Sequence, residues 1–172
     1  MHNIELAPSD CCVLTLQILI KPTMKSKSLI PPKIEIALRL IVAVILLQTL
    51  FFKFTAHPDS VALFSEVSQF LTADNSLEAG IRIGTGIIEL IAASLLLLRP
   101  TFLYGAIIAF ATMGGAIKTH VFIIGINFHD DGGTLFAMAV IAFLASFAIV
   151  FNHRDEIPIV GKWFIRMRKK FG

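Results

Sequence analysis

The stretch that most constrains this chain is Arg82 to Arg99, RIGTGIIELIAASLLLLR, which between two arginines runs through apolar and small residues broken by a single acid, Glu89. A run of ~18 apolar residues is long enough to cross a hydrocarbon layer of ~30 Å at ~1.5 Å per residue, more than a soluble core helix needs. Glu89 falls ~12 Å along that axis from Ile81, close to the midplane. A carboxylate at that depth is costly and is expected to face protein and to have a partner.

The rest of the sequence has the same character. Across 172 residues, 56% are hydrophobic and 16% charged, outside the soluble range, so an integral membrane protein is expected. The net charge of +3 does not point to nucleic acid, because the basic residues flank hydrophobic runs, which favours lipid. The two cysteines, Cys11 and Cys12, are adjacent in a polar-flanked tail and have no second pair with which to relay a disulfide.

Taken in order, residues 1–33 read as a disordered extension. Its apolar patch Val13–Ile20 is too short to span and lacks the basic lead of a signal peptide, and Met24 opens a second plausible start. Four spans follow, at about 36–54, 81–98, 101–126 and 134–151, within a bundle covering 34–157. Arg39 and Lys53, near the ends of the first, are expected to snorkel to the surface. His57-Pro58-Asp59-Ser60 breaks that helix. Asp59 or Ser60 is expected to cap a short interfacial helix at about 60–71, with Val61, Phe64, Val67 or Ser68, and Leu71 on one face. Arg99-Pro100 turns the second span into the third as a tight hairpin, and glycines 84, 86, 105, 114 and 115 permit close helix approach. Residues 158–171 place Ile159, Trp163, Met167 and Phe171 at i+4 intervals, with Lys162, Arg166, Lys169 and Lys170 elsewhere on the helix, a basic interfacial helix suited to anionic lipid. Of the fifteen Lys and Arg, all but Lys53, Arg82 and Lys118 fall on one side of this arrangement, which places both termini in the cytoplasm. The expected fold is thus an all-α, four-helix integral membrane bundle.

The charged residues suggest a site. Lys118 lies ~12 Å below the end of the third span if that span closes at Ile126, the same depth as Glu89, and is the expected partner. Arg82 shares a helix face with Glu89, and Gly86 leaves space beside the acid. Lys53, His129, Asp130 and Asp131 would surround the mouth of the same outer-half cavity, with His120 nearby. Plainer readings stand beside this one. The Glu89 pair can simply fix helix register, Arg82 and Lys53 can snorkel, His120 is a packed histidine rather than a metal ligand, and the Asp130-Asp131-Gly132-Gly133 turn is a solvated cap. No metal site is expected.

The segments TLFFKF (49–54), RIGTGIIELIAASLLL (82–97), GAIKTHVFIIGINFHDDGGTLF (115–136) and HRDEIP (153–158) resemble the DoxX family of bacterial four-helix membrane proteins. The most specific points of likeness are Gly86, Glu89 and Leu90 in a Gly-x-x-Glu-Leu pattern and His120 near the end of the third helix. The resemblance implies a multi-pass protein of the bacterial plasma (inner) membrane. It further implies a redox-linked, quinone-adjacent accessory subunit, whose polar cavity could hold a quinone head group though the cofactor itself is left open, or a scaffold or assembly chaperone for a partner membrane protein. Homo-oligomers are compatible with either. The absence of cysteines from the spans argues against thiol chemistry in the bundle.

Overall fold

The structure, a computed structural model, describes residues 29–129 and 131–157. The expected extension before residue 29, the basic helix at 158–171 and Asp130 therefore lie outside the described residues. The described chain forms α1 (Pro32–Phe54), α2 (Pro58–Thr72), α3 (Glu78–Leu97), α4 (Phe102–Thr119), a π-helical turn (His120–Ile124) and α5 (Thr134–Asn152). No strand occurs among them. Four helices, counting α4 with its π turn, are long and apolar enough to cross a membrane.

The protein is an all-α four-helix bundle of membrane-spanning character. Successive spans run antiparallel, and α1 and α4 each pack on both α3 and α5, closing a ring. Because lipid tails are as apolar as leucine, such helices associate through close packing rather than through expulsion of water. The core meets that need with small residues: Ala92 and Ala93 of α3, Ala106 and Ala109 of α4, and Ala139, Ala142 and Ala145 of α5 interleave with Val42, Leu46, Leu96, Met113 and Ile149. The tightest approach is at Gly105, where an added Cβ would lie 2.6 Å from the Leu96 nitrogen and 2.8 Å from the Ala92 oxygen. Gly105, not Gly114 or Gly115, thus joins α3 to α4. Gly114 instead faces the Phe143 ring of α5, and Gly84 and Gly115 have nothing within 4 Å.

Two further expectations change. The third span is not one α-helix to residue 126: it passes into the π turn at His120 and stops at Gly125, whose φ of 84° suits only glycine. The cap of α2 is His57, whose Nδ1 accepts from the Asp59 N–H at 3.4 Å, with Pro58 opening the helix. α2 rests on α3 and on the π turn. It buries Ser60, Phe64 and Ser68 while Phe70 and Leu71 stay exposed, so its inward face is narrower and more polar than the expected stripe through Leu71.

Gly105→Ala is expected to lower stability by about 1–3 kcal/mol, since backbone cannot yield as a side chain can. Gly115→Ala is expected to be tolerated. Thermal unfolding of the two variants in detergent, monitored by size-exclusion chromatography, reads the difference.

Candidate functional site

Glu89 sits on the inward face of α3 and is 3% exposed. Its partner is Lys53. The Lys53 Nζ lies 2.6 Å from Glu89 Oε2 and donates at 3.1 Å to Thr49 Oγ1, whose single hydroxyl proton is shared between the Leu46 carbonyl at 2.9 Å and the same Glu89 oxygen at 3.0 Å. Although Lys53 is the penultimate residue of α1, its stem does not snorkel outward. It runs back along its own helix toward Thr49, the direction helical side chains favour, and the residue is only 9% exposed. The expected Glu89–Lys118 pair does not form: Lys118 is exposed on α4 and, among the described residues, makes no ion pair.

Arg82 is also buried rather than snorkelled. Its Nε donates to Glu78 Oε1 at 2.6 Å, one helical turn away, and its Nη1 donates to the Lys53 carbonyl. That carbonyl is among the last four of α1, which have no partner within the helix and carry its negative dipole end. Lys53 is therefore held twice by α3, through its ammonium by Glu89 and through its carbonyl by Arg82. Gly86 provides the clearance, with the Phe54 ring 3.2 Å and the Lys53 Cβ 3.7 Å from where its own Cβ would be.

The remaining expected residues serve other purposes. His120 is 5% exposed, and its Nδ1 lies 3.0 Å from the Gly125 carbonyl. A carbonyl can only accept, so Nδ1 carries the proton and the side chain ties off the π turn. Asp131 caps α5: Oδ2 accepts from Leu135 N–H at 2.9 Å, and Oδ1 from Gly133 and Phe128 N–H at 2.9 and 3.1 Å. His129, in a left-handed conformation at φ 49°, lies 3.3 Å from Asp59 at the start of α2. Neither residue reaches Glu89. Among the described residues no group of three or more His, Cys, Asp or Glu is placed to hold a metal ion.

A second polar cluster, not foreseen from the sequence, occupies the opposite end of the bundle. Arg39 is 9% exposed and donates from Nε and Nη2 to the Leu96 carbonyl at 2.9 and 2.8 Å, with its guanidinium 4.4 Å from the centre of the Phe102 ring. Leu96 is the penultimate residue of α3, so Arg39 does for α3 what Arg82 does for α1. Beside it, Glu35 Oε2 meets His153 Nε2 at 2.8 Å, and Asn152 accepts from the Leu29 and Ile30 N–H groups at 2.7 and 3.2 Å. The segment entering α1 and the end of α5 are thereby fastened together.

No family model, curated protein or solved structure matches the chain.

Removing one partner of a buried pair strands the other charge. Lys53→Met is expected to cost about 3–5 kcal/mol, whereas Lys53→Met combined with Glu89→Leu recovers most of that loss. Lys118→Met is expected to cost less than about 1 kcal/mol. Equilibrium unfolding in mixed micelles distinguishes the three.

A second expectation concerns acid. Burial pushes the Asp131 carboxyl up, but the N–H donors of Leu135, Gly133 and Phe128, with His120 nearby, outweigh it and hold the group below the ordinary carboxylate range. A lowered native value means the stabilisation is complete above the unfolded value of about 4 and is lost as pH falls through the lowered one. Asp131→Asn is expected to flatten that acid-side decline, read from melting temperature against pH.

Proposed function

We propose that the protein is a small multi-pass accessory subunit of the bacterial plasma (inner) membrane, of the DoxX kind, with both termini cytoplasmic, and that its bundle is a scaffold or assembly partner for another membrane protein. The observation that supports this reading is that the charged groups inside the bundle are engaged within the protein. Lys53 and Thr49 point at Glu89, and Arg82 points at Glu78 and the Lys53 carbonyl. Such an arrangement fixes how α1 and α3 sit, and a fixed shape is what a partner needs in order to recognise a helical surface.

A redox-linked, quinone-adjacent form of the same role has one observation in its favour. Glu89 is a carboxylate within an apolar layer with two proton-bearing neighbours, Lys53 Nζ and Thr49 Oγ1, within 3.0 Å of one oxygen. A quinone carbonyl needs donors of that kind, and a buried carboxyl can hand on a proton. In this form the ammonium would have to leave Glu89 to serve a ligand.

Glu89→Gln separates the two. In the scaffold role the neutral isostere is expected to lower the melting temperature while leaving co-purification with partner membrane proteins intact, and the purified protein is expected to bind no added ubiquinone or menaquinone. Saturable quinone binding that Glu89→Gln abolishes without loss of fold would establish the redox-linked form instead.

A further inference from the structure

The faces that α1, α3 and α5 turn outward carry large apolar side chains, such as Leu47 and Phe51, Ile87 and Ile91, and Leu144 and Phe147. This is what a lipid-facing surface requires. α4 departs from the pattern. Its exposed residues are Tyr104, Ala111, Gly115 and Lys118, with no exposed Leu, Ile, Val or Phe between Phe102 and Thr119; exposed apolar bulk returns only in the π turn, at Val121 and Phe122. At ~100° per residue these four fall within roughly 60° of arc, a single face. The α4 span also buries the smallest share of residues of the four, although it is no more apolar than α3, whose charged residues are covered. A helix left open to lipid should be the most apolar of a bundle, and this one is not.

Lys118 gives that face its polarity. It lies about six residues before the end of the π turn, or ~9 Å in from it, and among the described residues it makes no ion pair or side-chain hydrogen bond. An ammonium within the apolar thickness is expected to be matched by a negative group at the same depth. Another copy of this chain does not offer one: the acids within its described spans, Glu35, Glu78 and Glu89, are already paired with His153, Arg82 and Lys53.

We propose that the outer face of α4 is a docking surface for a transmembrane helix of a different protein, and that this helix carries an Asp or Glu at the level of Lys118. Gly115 and Ala111, without bulk, let the partner backbone approach close enough for the two charges to meet. The inference rests on the accessory-subunit reading and names the face through which that role is exercised.

The test places a photo-crosslinking amino acid at Ala111 in the full-length protein in native membranes, with Val44 on α1 as control. The expected result is an adduct at Ala111 and not at Val44, whose sequenced partner peptide maps to a transmembrane helix containing Asp or Glu. Lys118→Ala is expected to lower its yield about tenfold while Lys118→Arg keeps it. Adducts formed equally at both positions, adducts only with lipid or with a second copy, or a yield indifferent to Lys118 would overturn the proposal. A membrane partner captured at Val44 but not at Ala111 would overturn it while leaving the accessory role standing, and no membrane partner at either position, with none co-purifying from native membranes, would overturn both.

Discussion

The contact on which this bundle depends is the one between Lys53 and Glu89. Neither charge is tolerable alone in an apolar layer, and both side chains are turned inward, 11% and 4% exposed. Pairing them at 2.6 Å, with Thr49 filling the angle between, removes that penalty only when α1 and α3 are in one register. A slip of one residue along either helix would turn the charge through ~100° and leave it facing lipid. The pair thus selects a single docking of the two helices more than it adds stability beyond an apolar equivalent.

Around that contact the two helices are tied at both ends by the same device used twice. Arg82, near the start of α3, reaches the penultimate carbonyl of α1, and Arg39, near the start of α1, reaches the penultimate carbonyl of α3. In antiparallel helices the beginning of one lies beside the end of the other, so a cation in an early turn meets the unsatisfied, negatively polarised carbonyls of its neighbour. In water those carbonyls could be solvated. At a membrane boundary, internal donors are the surer solution. The remaining ring contacts are made by alanines and Gly105, which hold through proximity.

Most of this architecture was legible in the sequence, because in lipid the requirement for long apolar runs leaves few alternatives. The four spans, the Arg99-Pro100 hairpin, the intervening amphipathic helix and the burial of Glu89 all follow from composition and turn chemistry. The partner of Glu89 was not legible. Counting residues from an assumed span end gives depth but not direction around the helix, so Lys118 looked level with the acid although it points outward. Lys53 looked terminal although its four-carbon stem reaches back a full turn. The break of the third span into a π turn shifted its end as well, since it closes at Gly125. The arginine caps did leave a signal: Arg39 and Arg82 each stand near the beginning of a span whose antiparallel neighbour finishes at the same level.

The distance between the two charges themselves tests this account most directly. In protein reconstituted in lipid, with 15N-labelled lysine and 13C-labelled glutamate, solid-state NMR is expected to show a strong dipolar coupling between a lysine Nζ and the Glu89 carboxyl carbon, as an N···O separation of 2.6 Å requires. The coupling should vanish in Lys53→Met and persist in Lys118→Met. If it is absent from the native protein, or is lost with Lys118 and retained without Lys53, then the register described here is wrong.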